Sequence, residues 1–293
     1  MKIAIFALTR GYPKEKSSYS ALIKRNNAIY KHINKLRDKP ADLILFHEGN
    51  ISNDDQKYIN SFYPEKLIFK DVSKYFNVKN LNLEGEEKFN LGYRIMCRFN
   101  MYHVWKEVSN YDYVLRVDED IELIDFDPFV FEKMHKNKII YLTGRFTKDP
   151  HRLTNATLPY FLIENTSLNV NKIYNHKNPY TNFYASNVNF WKEEKVNKLL
   201  KKIALSDQQL IYRWGDHTVQ GLILNQFKIK ISLFKKLEYR HISHNLIIKN
   251  NLIRNLTINS KLNPVSTTEN IYSKIKNLIK GKIYSNNKFD FDS

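Results

Sequence analysis

At 293 residues, with 42% hydrophobic and 14% aromatic residues, the chain can bury a full core, which excludes a disordered protein or a peptide-sized module. A net charge of +17 invites a nucleic-acid reading. Lys, Asn and Ile recur along the whole chain, however, as AT-rich codon usage produces, and no homeodomain, zinc-finger or RNP pattern accompanies the charge, so no nucleic-acid partner is expected. The single cysteine, Cys97, excludes an internal disulfide framework and a cysteine zinc site.

The first stretch, "KIAIFAL", is a buried strand. Its apolar run ends at Thr9 and Arg10, too short for a signal-peptide core or a membrane span, so a cytoplasmic location is expected, peripheral on the inner face of a membrane as a variant. "YSALIKRNNAIYKHINKL" places Ala21, Leu22, Ile29, Ile33 and Leu36 near helical spacing. "ADLILF" reads as a second strand, "SNDDQKYINSFY" as a helix opened by a Ser cap, and "EKLIFKDV" as a third strand. "NLGYRIMCRFNMYHVWKEV" predicts one amphipathic helix with Tyr93, Met96, Cys97, Met101, Val104, Trp105 and Val108 on its apolar stripe. "YDYVLRV" is the next buried strand, then "KIIYLTGRF", then an irregular Asn-rich stretch to about residue 179. "YTNFYASNVNFW" predicts extended chain, "KEEKVNKLLKKIAL" and "GDHTVQGLILNQF" helices, and "KIKISLF" the last strand. Alternation of this kind means an α/β fold with an open, mostly parallel sheet flanked by helices, in which ligands bind beyond the carboxyl ends of the strands.

Asp118, Glu119 and Asp120 stand at such an end. Residues two apart on a strand share a side, so Asp118 and Asp120 would face one ligand while Glu119 points away. Two hard carboxylates suit Mn²⁺ or Mg²⁺, an ion able to neutralise a departing nucleoside diphosphate. Arg116, just before the cluster, would neutralise part of it from inside the fold. Asp216, in "YRWGD", is read both as a helix cap and as an active-site carboxylate.

"GYRIMCRF" (92–99), "RVDED" (116–120), "YTNF" (180–183) and "YRWGD" (212–216) resemble, in order and rough spacing, the fungal α-1,2-mannosyltransferase family, glycosyltransferase family 15. The chain reads as a divergent member, bacterial or viral in source. The resemblance covers residues 90 to 245 and implies a GT-A-like domain over 1–245. It further implies Mn²⁺ (or Mg²⁺), GDP-mannose as nucleotide-sugar donor, and transfer of mannose with retention to a hydroxyl of a glycan or lipid-linked glycan. By position it implies metal binding by Asp118 and Asp120, donor contacts by Arg10, Tyr93, Arg94, Arg98 and Asp118, and a catalytic role for Asp216. Two family residues are replaced. Tyr184 takes the place of the Glu proposed as nucleophile and is carried as a catalytic-site residue. Gln220 takes the place of a metal-binding His, which leaves His241, His244 or His217 as third ligand, with His241 first. The rival reading is a non-catalytic carbohydrate- or polyanion-binding protein on a decayed transferase fold. Residues 246–293 form a basic appendage, and an amphipathic segment at 271–284 suggests contact with an anionic membrane surface.

Overall fold

A computed structural model describes residues 1–12, 15–79, 81–85, 87, 89–149, 151–166, 177–244, 246–250 and 252–255. The chain starts with β1 (Ile3–Thr9), α1 (Ser20–His32), β2 (Asp42–His47), α2 (Asn53–Asn60) and β3 (Ile68–Asp71). Ser52 caps α2, its hydroxyl accepting from the Asp55 N–H. The long helix expected after residue 90 forms without interruption but not with uniform winding: α3 (Leu91–Arg98) and α4 (Val104–Glu107) are joined by a π-helical turn at Phe99–His103. β4 (Tyr113–Val117), β5 (Ile121–Phe126), α5 (Val130–Lys136), β6 (Tyr141–Thr143) and β7 (Phe146–Thr147) follow.

The stretch expected to be irregular contains α6 (Arg152–Asn165), which carries Pro159 inside it. After β8 (Asn178–Pro179) and β9 (Phe183–Asn187) come α7 (Val188–Lys192), α8 (Glu194–Ala204), α9 (Asp207–Ile211) and α10 (Asp216–Gln226). The last described elements are β10 (Ile231–Leu233), β11 (Leu237–His241), β12 (Leu246–Lys249) and β13 (Leu252–Asn255). "KIKISLF" is therefore not the last strand, and ordered sheet continues beyond residue 245. The segment 271–284 lies outside the described residues.

The main sheet has seven strands in the order β10-β6-β9-β4-β1-β2-β3. β1, β2, β3 and β4 run parallel, β10 runs parallel to β6, and β9 runs antiparallel between β4 and β6. Strand alternation divides the core. Ile3, Ile5, Leu43, Leu45, Leu115 and Val117 pack on one face with α1 residues Leu22 and Ile29. Ala4, Phe6, Ile44, Phe46, Val114 and Tyr184 pack on the other with Trp105, Trp191 and Trp214. β5, β11, β12 and β13 form a second, antiparallel sheet, and β5 leads straight out of the acidic turn that follows β4.

Gly221 shows how closely α10 approaches β8. A Cβ there would stand 2.8 Å from both Asn178 Oδ1 and the Lys177 carbonyl. Gly221→Ala should lower unfolding free energy in a urea titration by about 1–3 kcal/mol, the usual overpacking cost, despite the better helix propensity of alanine.

Candidate active site

Strand geometry stops at Val117. Residues 118–120 turn, with the Asp118 N–H donating to the Asn182 carbonyl (3.0 Å) and the Ile121 N–H to the Asp118 carbonyl (3.1 Å). The three acids therefore separate, and the expectation that Glu119 alone points elsewhere is corrected. Glu119 accepts from the Thr9 hydroxyl (2.8 Å) and the Arg10 N–H (3.1 Å), tying the turn to the end of β1. Exposed Arg10 adds an ion pair to it at 3.1 Å.

Asp118 turns to Arg116. The buried guanidinium donates to Asp118 through Nε (2.7 Å) and Nη2 (3.3 Å), and through Nη1 to Asp216 (2.6 Å). Burial opposes the Arg116 charge, but the two carboxylates outweigh it and hold the guanidinium protonated. Burial also opposes ionisation of Asp216, and Arg116 reverses the balance, so its pKa is lowered. For Asp118 burial wins, and its carboxyl is pushed up to about 6. A second buried cation lies beneath: Arg25 on α1 donates to the Val117 carbonyl through Nε (3.0 Å) and Nη2 (2.8 Å). Burial lowers its pKa to about 9, against the field of Asp118 and Glu119.

Asp120 turns to β11, where His241 Nε2 lies 3.2 Å from its carboxylate. The Tyr180 hydroxyl (3.1 Å) and the Asn182 amide (3.3 Å) meet Nδ1 of the same imidazole. Burial would raise the Asp120 pKa, but His241 and Ser243 hold it down at about 2. Neighbouring ligands of an octahedral ion with bonds of about 2.1 Å are themselves about 3 Å apart, so the Asp120–His241 spacing suits a shared divalent cation. Among the described residues no group of three His, Cys, Asp or Glu side chains forms a complete metal cage.

Asp216 opens α10, but it is not the cap: that position belongs to Gly215, without a side-chain cap bond. The Asp216 N–H is met by buried Cys97, and its carboxylate by Arg116 and Thr181. The preceding residue but two, Arg213, has a left-handed backbone (φ 57°). Its guanidinium lies over Phe89 (4.3 Å), donates to the Tyr93 hydroxyl (3.1 Å) and pairs with buried Asp149 (3.1 Å). His217 Nε2 lies 3.4 Å from Asp149 and so serves that carboxylate.

The other predicted residues separate into two groups. Tyr93 is half-buried beside Arg213 and within the field of Asp216. Arg94 and Arg98 do not reach the acidic turn. Arg94 donates to the carbonyls of Phe89, Glu84, Leu210 and Ile211, and Arg98 to Gln209 and the Ser206 carbonyl, so both bolt loops together. Tyr184 is fully buried, stacked on Tyr141 with centroids 5.1 Å apart, as the cross-strand neighbour of Arg116. It underlies the site instead of lining it. Gln220 is also core, bonded to the Tyr141 hydroxyl (2.7 Å) and the Asn100 carbonyl (3.2 Å). The His244 side chain lies outside the described residues. Sequence reasoning missed Arg25 and Asp149, and it singled out the "YTNF" word without giving Tyr180, Thr181 or Asn182 a role. Arg25 and Asn26 stand among the buried positions of α1 with Leu22 and Ile29, a polar interruption of an apolar face that marks them.

Against known proteins, no family model matches the chain. O-glycoside alpha-1,2-mannosyltransferase homolog 3 of Schizosaccharomyces pombe is 30% identical over 179 residues, 53% of this chain and 47% of that protein. The chain spans less than half the length of the curated relatives it matches, all of them fungal, and nothing in them supports a bacterial or viral source. The mannosyltransferase Ktr4p of Saccharomyces cerevisiae superposes with a TM-score of 0.67 at 19% identity, over 94% of this chain and 81% of that one. Core-mannan synthase A (CmsA/Ktr4) of Aspergillus fumigatus, in its Mn/GDP form, gives 0.66 at 19% identity over 83% and 75%. The fold is that of the Ktr4 mannosyltransferases. It is a GT-A-like fold, as the motifs implied. No described helix is long and apolar enough to cross a membrane.

Removing one partner of a buried ion network leaves the others uncompensated. Arg116→Met should therefore cost about 3–5 kcal/mol in denaturant titration, and adding Asp216→Leu should recover part of that loss. Asp118 gives a pH signature in metal-free protein. Its folded pKa of about 6 lies above the unfolded value near 3.9, so its contribution is complete below about pH 4 and lost as pH rises through 6. Asp118→Asn should thus compare more favourably with wild type at pH 7 than at pH 4.

Proposed function

We propose that the protein is a divalent-cation-dependent glycosyltransferase that moves mannose from GDP-mannose to a glycan hydroxyl. The observation carrying this reading is the Asp120–His241 pair, set 3.2 Å apart beyond the carboxyl end of β4 and beside the Arg116-linked carboxylates. The fold it shares with Ktr4 enzymes, one of them in a Mn/GDP form, supports the choice of ion and nucleotide. Asp120 and His241 would hold the cation, which when bound neutralises the leaving diphosphate.

The chain's own groups supply the rest. Thr9 and Glu119 fix the turn that carries Asp120 against the end of β1. Arg10, exposed next to that junction, is the basic side chain available to an incoming diphosphate. Asp216, kept ionised by Arg116, faces the reacting sugar or the acceptor hydroxyl, and Tyr93 lines the same side through Arg213. Tyr184, at the position where the resembled family carries its proposed nucleophilic Glu, is a fully buried phenol and offers no carboxylate for a covalent intermediate. Retention in this reading proceeds by departure and attack on one face of the sugar, with fixed charges stabilising the separated ions. The acceptor is a glycan, free or lipid-linked, and the basic 271–284 segment would suit the latter by resting on an anionic membrane.

Calorimetry of GDP binding tests the metal arm. Mn²⁺ should tighten GDP binding to wild type, and Asp120→Asn or His241→Ala should weaken Mn²⁺-assisted binding by about tenfold or more, the scale of a perturbed metal site. Equal Mn²⁺ enhancement in all three proteins removes this pair from the metal site. Asp216→Asn should bind GDP and Mn²⁺ normally yet lose about a hundredfold or more in mannose transfer. Normal transfer by a folded Asp216→Asn protein rules out the catalytic role.

A further inference from the structure

Arg145 is a guanidinium that the reaction assigned above leaves unused. β9 runs antiparallel to both β4 and β6, so β4 and β6 end at the same edge of the main sheet. Arg145 follows β6 by two residues and stands at the edge that carries the acidic turn. Its guanidinium lies over the Tyr180 ring, 4.5 Å from the centroid, and the hydroxyl of that ring meets His241 Nδ1 at 3.1 Å. One aromatic ring thus separates Arg145 from the Asp120–His241 pair.

The other arginines around the turn are engaged. Arg10 pairs with Glu119, Arg116 with Asp118 and Asp216, and Arg213 with Asp149, while Arg25 donates to the Val117 carbonyl. Arg145 forms no ion pair and donates no side-chain hydrogen bond among the described residues. The side chain is half-buried: Nε is enclosed without a partner, and the two Nη nitrogens stay open to a ligand. The stack on Tyr180 orients the guanidinium but satisfies none of its five donors. Half-buried donors without acceptors are costly, so an oxygen ligand is called for. Charge narrows the choice. A divalent cation on Asp120 and His241 and a guanidinium one ring away repel each other. An anion with several oxygens, shared by both, turns that repulsion into attraction. A diphosphate does this, and a neutral hydroxyl does not.

We propose that Arg145 holds the phosphoryl group that departs in the transfer, from the β6 side of the acidic turn, with Arg10 on the β1 side. As the sugar C1–O bond breaks, its electron pair passes to the phosphoryl oxygen, whose growing charge Arg145 stabilises. The acceptor oxygen bonds to C1 and gives its proton to the departing diphosphate. This step rests on the transferase reading, whereas anion binding by Arg145 does not. Calorimetry on Mn²⁺-loaded protein therefore uses inorganic pyrophosphate, a probe that carries neither base nor sugar, beside GDP. Arg145→Met should weaken both about tenfold, with Arg145→Lys in between. Mn²⁺ alone should bind the Met variant no more weakly than wild type. Where transfer is measurable, Arg145→Met should lower kcat at least about a hundredfold and leave KM for the acceptor unchanged. Pyrophosphate binding that is absent from wild type, or equal in Arg145→Met, overturns the proposal. So does weaker binding of Mn²⁺ alone to the Met variant, which would make Arg145 a prop for Tyr180 and His241. Loss of pyrophosphate affinity in the variant supports it even if GDP-mannose proves not to be the donor.

Discussion

A buried guanidinium between two carboxylates governs this end of the molecule. Arg116, the penultimate residue of β4, faces the aromatic side of the core and is buried. Its three donors decide where Asp118 and Asp216 point, and thus how the acidic turn and the start of α10 are joined. The network makes a weak case for stability, because three desolvated charges cost about as much as their mutual attraction returns. Its effect is positional. Two segments a hundred residues apart are held at one point, and Asp120 is left free of Arg116 to meet His241.

The division of labour among the acids follows from that constraint. Asp118 is taken up by Arg116 and Glu119 by β1, so Asp120 is the member of the triplet presented with a nitrogen ligand. The second sheet matters for the same reason. β5 leaves the turn and pairs with β11, and the register that sets His241 opposite Ile121 carries the imidazole to Asp120. The Asp120–His241 contact therefore needs the antiparallel sheet as much as the parallel one.

Much of the fold is legible in local pattern. β1 and β2 are apolar runs at their centres because helices cover both faces of the sheet, β4 is apolar but for Arg116, and α8 repeats Val196, Leu200 and Ile203 at helical spacing. α6 is not legible: Pro159 stands inside it, and Thr154 opens a buried face whose apolar members, Leu158, Phe161 and Leu162, begin only at its middle. β12 and β13 are missed because their sequences mix Lys, Arg and Asn with the isoleucines. In the site, the "RVDED" and "YRWGD" words draw attention to Asp118, Asp120 and Asp216, whereas His241 stands in the sequence only as one of three candidate histidines. The roles of Arg94 and Arg98 were not, since nothing in a helix sequence says whether a guanidinium will meet phosphate or a carbonyl. Asp149 is a polar residue in a loop, and only long-range packing brings it to Arg213 and Thr218 and brings Thr181 to Asp216.

The π-helical turn at Phe99–His103 bears on how this segment can vary. It holds one residue more than α-helical winding would, so α3 and α4 present different faces than a continuous helix could. Loss of a single residue there would restore regular winding and rotate α3 against Trp105 by about 100°. Cys97 would leave the first N–H of α10, and Arg94 would leave the carbonyls it ties together. Substitutions along this stretch change one contact at a time, whereas a one-residue deletion shifts them all, so variation in length is the kind of change this helix resists most.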